Sequence, residues 1–153
     1  CKVNIKNSDL LVVCVGGGNF SQEELLLFDK LNIQDRVLQY NLDDETLALF
    51  YRRAVMFIFP SLYEGFGMPI LEAFACECPL VCSNTSSFPE VAGDGAEYFN
   101  PCDKESIFKA VNRVYGDEEH RKQLIKIGSE RLSSFSWEQT ALRTREVYES
   151  VLK

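Results

Sequence analysis

The sequence has 153 residues, 46% of them hydrophobic and 25% charged, which is enough apolar content for a folded domain with a core. Its net charge of −7 at pH 7 argues against nucleic acid and anionic membrane surfaces as partners. No apolar run approaches the roughly 20 residues that span a bilayer, so we expect no direct membrane contact by this segment.

Segments typical of strands and helices alternate along the chain. Short apolar runs predict strands at 10–15, 36–40, 55–59, 80–83 and 96–99. The intervening stretches predict helices at 22–31, 44–53 and 69–76, and a shorter turn near 89–92. After Asp103 the pattern is wholly helical, at 104–115, 118–133 and 136–152, with Ser136 as a helix cap. This order predicts an α/β fold with three layers, α/β/α, around a parallel sheet, followed by C-terminal helices.

The segment 61–72, which reads SLYEGFGMPILE, is the most informative part of the sequence. It follows the apolar run 55–59, which we interpret as a fully buried strand. A glycine-rich bend at 64–67 comes next, and a helix is expected to begin at Met68-Pro69 because proline is tolerated in the first helical turn. A strand, a bend and an open helix N-terminus together bind anions through unpaired N–H groups and the helix dipole.

Two carboxylates, Glu64 and Glu72, flank this predicted anion site. Each also has a simpler interpretation: Glu72 as a first-turn glutamate favoured by the helix dipole, and Glu64 as a solvated loop carboxylate. In the functional interpretation, Glu72 accepts two hydrogen bonds from a cis-diol such as the ribose of a nucleotide. A ligand that combines phosphate with a hydroxyl-rich sugar therefore fits this segment best.

The loops after the other predicted strands are expected to contribute to the same cleft, because ligands of parallel sheets bind beyond the carboxyl ends of the strands. These loops are 16–19, 40–42, 60–67 and 84–88. The glycines at 16–18 do not make a dinucleotide-binding fingerprint, which requires G-x-G-x-x-G and would need a third glycine where Phe20 and Ser21 follow. The sequence therefore does not favour NAD binding.

Cysteine, histidine and acidic residues give no metal-ligand pattern. The six cysteines include no Cys-x-x-Cys pair, and the single histidine, His120, lies in a charged helical run. This spacing favours buried free thiols over a zinc site and suits a reducing cytosol. Asp43, Asp44 and Glu45 directly precede or open a predicted helix, where they serve as cap and dipole partners. We predict no metal and no other cofactor.

The spacing of Glu64 and Glu72, within PSLYEGFGMPILEAFACECPLVCSN, resembles the donor-binding half of retaining GT-B glycosyltransferases of the group 1, or family 4, type. Further segments follow in the order typical of that family: the glycines at 16–18, LALFYRRA at 47–54, FPEVAGDGAEYFNPCD at 88–103 and FSWEQTA at 135–141. The resemblance implies a Rossmann-like sheet, the C-terminal half of a GT-B fold. It also implies transfer of a sugar from a nucleotide-diphosphate sugar to a glycan or lipid acceptor, in surface polysaccharide synthesis.

The resemblance also implies roles for individual residues. Glu72 would hold the ribose, and Glu64 would be catalytic, orienting the transferred sugar and stabilising positive charge at its anomeric carbon without acting as a nucleophile. Main-chain contacts to sugar hydroxyls and diphosphate would come from Gly65, Phe66, Gly67, Met68 and Ile70. A phosphate or base would approach Gly16 and Gly17, and the nucleobase would be read at Asn41 and Leu42. Asn41 replaces a glycine usual in the family, which leaves the identity of the base open.

We further expect residues 1–153 to be one nucleotide-sugar-binding domain, without the N-terminal acceptor domain and first strand that the family has. Such a fragment is expected to bind a nucleotide sugar weakly and to transfer nothing. Its expected location is cytoplasmic, with the full-length protein peripheral to the inner membrane face as one option. The alternatives are a nucleotide-sugar epimerase or glycan synthase of the same architecture, or a non-catalytic binding module.

Overall fold

The computed structural model describes residues 10–152. The strands in this range are β1 Val12–Val15, β2 Val37–Tyr40, β3 Phe57–Phe59, β4 Leu80–Ser83 and β5 Ala96–Phe99. The α-helices are α1 Gln22–Leu31, α2 Asp44–Arg53, α3 Met68–Ala75, α4 Phe88–Ala92, α5 Lys104–Gly116, α6 Glu118–Leu132 and α7 Trp137–Val151. Every pair of adjacent strands is parallel, which confirms the predicted α/β class. The chain divides into two compact units, residues 1–50 and 51–153, and the boundary falls within α2.

In the first unit, β1 and β2 form a two-stranded parallel sheet in which Val12 pairs with Val37 and Val15 with Tyr40. A complete capping box starts α1, because the amide of Glu24 donates to Ser21 Oγ and the amide of Ser21 donates to Glu24 Oε2. This reciprocal cap explains why the helix begins at the predicted position.

In the second unit, the strands form a parallel sheet in the order β3-β4-β5. The two helices that follow β3 and β4 pack on this sheet to form the core, which consists of Ile70, Phe74, Leu80, Cys82, Phe88, Val91, Ala92 and Ala96. All four residues of β4 are buried, as expected for the central strand. The observed bounds of β4 and β5 coincide with the predicted ones.

The prediction that 55–59 is a fully buried strand is wrong. Only Phe57–Phe59 pairs in the sheet, Val55 is 41% exposed and Ile58 is 39% exposed. The reason is that, among the strands between residues 10 and 152, β3 pairs only with β4 and therefore lies at an edge of the three-stranded sheet.

The helical C-terminal part follows the predicted pattern. A side-chain oxygen caps each of its three helices by accepting from a first-turn amide: Asp103 from Glu105, Asp117 from His120 and Ser136 from Gln139. Between residues 10 and 152, no helix is both long enough and apolar enough to cross a membrane.

Candidate donor site at the start of α3

The bend between β3 and α3, residues 62–67, is the elbow of the candidate site. The hydroxyl residues at 85–87, in the loop that follows β4, hold it in place. Each of these three hydroxyls donates to an elbow carbonyl: Thr85 to Leu62 at 3.1 Å, Ser86 to Glu64 at 2.6 Å and Ser87 to Phe66 at 2.9 Å. Two of the four loops that were predicted to line one cleft, 60–67 and 84–88, are therefore in direct contact.

Anchoring the carbonyls also orients the amides. In a trans peptide the C=O of one residue and the N–H of the next point in opposite directions, and no described residue has a cis bond. The amides of Gly65 and Gly67 therefore point away from the hydroxyls that hold the carbonyls of Glu64 and Phe66. Within residues 10–152, the amides of Gly65, Phe66, Gly67 and Met68 have no hydrogen-bond acceptor. The elbow thus presents consecutive unpaired donors at the start of α3, as an anion site requires.

Gly67 is the last residue before α3 and has a φ of +94°, in the left-handed region that L side chains rarely adopt. A Cβ built at this position would lie 3.0 Å from Phe88 Cε1 and 3.2 Å from Ile70 Cδ1. Gly65 differs, because its φ is not positive and a Cβ there would meet nothing within 4 Å. The protein itself requires glycine at 67, whereas the space around Gly65 is open to a ligand.

The two predicted glutamates lie at the two ends of this segment. Glu64 is half-buried, and its amide donates to Ser86 Oγ at 3.3 Å, so that Ser86 binds both main-chain groups of Glu64. Glu72 is exposed on α3, where its Oε2 accepts from the Tyr51 hydroxyl at 3.4 Å. Burial raises the pKa of Tyr51, and the adjacent Glu72 carboxylate raises it further. Tyr51 therefore stays protonated and acts as a donor that orients Glu72.

Three other residues of this segment, Phe66, Met68 and Ile70, were predicted to contact the ligand, and they differ in how accessible they are to it. Phe66 is 40% exposed and meets Phe135 edge to face at 5.8 Å, and Met68 is 47% exposed. The amide of Ile70 donates to the carbonyl of Gly67 at 2.9 Å, and its side chain is fully buried. Neither group of Ile70 is available to a ligand, so we leave it out of the proposed site.

The remaining predicted residues belong to the first unit, in the loops after β1 and β2. The amide of Gly16 donates to the carbonyl of Tyr40 at 3.0 Å, which brings the two loops together. Gly16 and Gly17 have φ values of +80° and +79°, which only glycine adopts readily. Asn41 is exposed and Leu42 is half-buried. Asp43 caps α2 by accepting from the amide of Thr46 at 2.8 Å, which confirms its predicted role. Hydrogen bonding by the side chain and the amide of Thr46 holds the pKa of Asp43 below its ordinary value.

The sequence predicts that loop 84–88 contributes to the cleft, but it does not predict that the hydroxyls at 85–87 anchor the elbow. The sequence does contain a pattern that indicates their importance. Three consecutive hydroxyl residues follow the predicted strand 80–83, at the carboxyl end where ligands of parallel sheets bind.

The cysteines follow the free-thiol prediction in part. All five described cysteines are free: Cys78 and Cys82 are buried, Cys14 and Cys76 are half-buried, and Cys102 is exposed. Cys1 lies outside the described residues. In the described part of the chain, no three His, Cys, Asp or Glu side chains are grouped so that they could hold one metal ion.

Comparisons with known proteins agree with this fold. A family model described as glycosyl transferases group 1 matches residues 2–131, and the chain belongs to that family. O-antigen chain mannosyltransferase B of Escherichia coli is 40% identical over 105 residues, covering 69% of this chain and 28% of that protein. Sucrose-phosphate synthase from Thermosynechococcus elongatus is 28% identical with a TM-score of 0.77, covering 92% of this chain and 38% of that one.

The structure of Anabaena HepE, solved in complex with UDP, has the same fold. It is 18% identical with a TM-score of 0.76, and the match covers 92% of this chain and 41% of that one. The chain thus spans well under half the length of these three proteins. The likeness confirms the GT-B type of α/β fold that the sequence predicted.

Proposed function

We propose that this chain is the donor-binding half of a retaining glycosyltransferase that moves a sugar from a nucleotide-diphosphate sugar to a glycan or lipid acceptor. The observation that carries the proposal is the run of unpaired amides from Gly65 to Met68, held in place by hydroxyls and bounded by two glutamates. The mannosyltransferase relative supports sugar transfer in polysaccharide synthesis, and the UDP bound to the related HepE structure supports a nucleotide ligand.

Each part of the donor has a counterpart in this segment. The pyrophosphate would accept from the elbow amides and lie at the positive end of the α3 dipole. These donors supply the counter-charge for the leaving diphosphate, so we propose that the site works without a metal ion. Glu72, oriented by Tyr51, would accept from both ribose hydroxyls.

Glu64 would act on the transferred sugar. Glycosyl transfer develops positive charge at the anomeric carbon, and a carboxylate held beside it lowers the barrier. The side chain is well placed for this role because Ser86 and Ser87 fix its main chain. The acceptor hydroxyl would attack from the face that the nucleotide leaves, so the anomeric configuration is retained. Acceptor contacts would come largely from parts of the protein outside this chain, and we place its activity on the cytoplasmic side of the membrane.

The first test is calorimetric titration of the chain with UDP, GDP and ADP and with their glucose or mannose derivatives. We expect one nucleotide series to bind best and Glu72→Ala to abolish that binding. Glu23→Ala is a matched control, because Glu23 is an exposed carboxylate in the first turn of α1 and should leave binding unchanged. Equal binding by wild type and Glu72→Ala would refute the ribose assignment, and no binding by any nucleotide would refute the function proposed for this chain.

A non-catalytic binding module makes a different prediction for Glu64. In that case Glu64→Gln in the full-length protein would leave every measured property unchanged. A transferase should lose at least about a hundredfold in turnover with little change in donor affinity, as expected when charge stabilisation in the transition state is removed.

A further inference from the structure

A cavity of about 390 Å³ lies beside the elbow, within the second unit. Gly65 and Phe66 form part of its wall, and the rest comes from the 85–87 loop, α4, α6, the segment after α6, and α7. Its charged groups are Glu90, Arg131 and Arg143, none of which has a role in the donor site proposed above.

Two N–H groups of the Arg131 guanidinium donate to main-chain carbonyls of α4. Its Nη2 donates to the carbonyl of Glu90 at 2.6 Å and its Nε to the carbonyl of Val91 at 3.2 Å. Its guanidinium also lies 5.3 Å from the centroid of the Phe135 ring. Arg131 therefore supports the wall of the cavity by binding the main chain of α4.

Arg143 differs, because no acidic side chain among residues 10–152 lies within ion-pair distance of it. Arg145, two positions further along α7, pairs with Glu149 at 3.4 Å. The chain has 23 acidic and 16 basic side chains, so acidic partners are in excess. An arginine that lines a cavity in such a chain without an acidic partner is available to an anion from outside.

The remaining groups suit a sugar ring. Phe66 and Phe135 meet edge to face and offer an apolar surface for the C–H groups of a sugar. Ser134 and Glu90 line the same cavity and can bind sugar hydroxyls, the carboxylate as an acceptor and the hydroxyl as a donor. A cation, an apolar surface and hydroxyl-binding groups therefore lie in one cavity beside the proposed donor.

We propose that this cavity binds a sugar unit that carries a carboxylate or phosphate, with Arg143 as the group that pairs with the charge. The inference rests on the proposed function, because Gly65 and Phe66 line this cavity and also supply amides to the proposed donor site. The charged sugar is either the one transferred from the donor or the unit of the acceptor that lies next to it, and the chemistry of recognition is the same for both.

The test measures binding of glucose, glucuronate and glucose 6-phosphate to the 153-residue chain by calorimetry or NMR titration. Charge-assisted hydrogen bonds are about twice as strong as neutral ones, so we expect the two charged probes to bind about tenfold tighter than glucose. Arg143→Gln should remove that difference. Arg145→Gln removes the same charge from the same helix and should leave the difference intact, and circular dichroism checks that both variants fold.

Equal binding of glucose and the charged probes, equal losses in the two variants, or no binding of the charged probes to the wild type would each overturn the inference. Two further titrations show whether the charged sugar belongs to the donor or to the acceptor. Both use the nucleotide diphosphate that binds the chain most tightly. Tighter binding of its glucuronate derivative than of its glucose derivative indicates the donor. Tighter binding of free glucuronate than of glucose to the nucleotide-saturated chain indicates the acceptor.

The experiments distinguish a wrong charged-sugar inference from a wrong assignment of the donor site. If nucleotides bind in a manner that requires Glu72 but Arg143→Gln changes nothing, only the charged-sugar inference fails. If charged sugars bind through Arg143 but no nucleotide binds, the cavity stands and the proposed donor site fails.

Discussion

Replacing Gly67 by alanine tests whether the protein alone fixes the shape of the elbow. The observed φ of +94° places an L side chain in the left-handed region, at a cost of about 1–2 kcal/mol. The new Cβ would also lie 3.0 Å from the Phe88 ring and 3.2 Å from Ile70 Cδ1, and both side chains are fully buried. Overpacking of this kind costs about 1–3 kcal/mol. Together the two effects should lower the free energy of unfolding by about 2–5 kcal/mol, a large share of the stability of a small domain.

Equilibrium unfolding in urea, followed by far-ultraviolet circular dichroism, measures this loss. Gly65→Ala is the matched control, because its φ is not positive and its Cβ would meet no atom within 4 Å. A glycine-to-alanine change at such a position should leave stability unchanged or raise it by about 0.4–1 kcal/mol. The same variant should weaken nucleotide-sugar binding, because the methyl group would occupy the space through which a ligand approaches the amides. A loss below about 1 kcal/mol for Gly67→Ala, or equal losses for the two variants, would refute the reasoning.

Two further groups of residues give testable expectations. Ser86→Ala should lower the free energy of unfolding by about 1 kcal/mol and speed hydrogen exchange of the Glu64 amide, because Ser86 Oγ donates to the Glu64 carbonyl at 2.6 Å and accepts from the Glu64 amide at 3.3 Å. Ser150→Ala, which removes an exposed 2.7 Å hydrogen bond to a helix carbonyl, is the control and should leave exchange at the elbow unchanged. In native protein, iodoacetamide should modify the exposed Cys102 rapidly and the buried Cys82 only after unfolding, as read by peptide mass spectrometry; equal rates would contradict the structure. Burial raises the pKa of Cys82 from its ordinary 9.0 to about 12, so the unfolded chain releases this proton first. Stability should therefore fall as the pH rises from about 9 to about 12, and a Cys82→Ala variant with the same slope would refute this assignment.

The sequence was sufficient to predict most of the fold because its apolar runs are short and well separated. The bounds predicted for β4 and β5 were confirmed, and the capping residues before α2 and α7 were identified correctly. The failure at 55–59 has a physical cause. An apolar run shows that a strand is favourable, but it does not distinguish a central strand from an edge strand, because that depends on which other strands pair with it.

The site was predictable to the extent that its features are local. A glycine directly before a helix that contains proline in its first turn is a local pattern, and in the structure this glycine, Gly67, has a left-handed φ of +94°. The hydrogen bonds of Ser86 and Ser87 join residues 21 to 23 positions apart. They depend on how two loops meet at the end of a sheet, which no local pattern encodes. The cavity beside Arg143 is non-local for the same reason, because it combines residues from the elbow with residues of α7.

The anchoring of the elbow has a consequence for how a donor would be recognised. Its carbonyls are bound by side chains of the protein, so the amides are already oriented before any ligand arrives. A loop that is ordered in advance loses little conformational entropy on binding, and fixed donors stabilise charge without having to reorganise. The diphosphate is common to all nucleotide-diphosphate sugars, so the elbow amides would not discriminate among them. Discrimination would then come from side chains that contact the sugars, which makes Glu64 and Arg143 the positions where exchanges should alter donor or acceptor preference while leaving the affinity for the diphosphate itself largely intact.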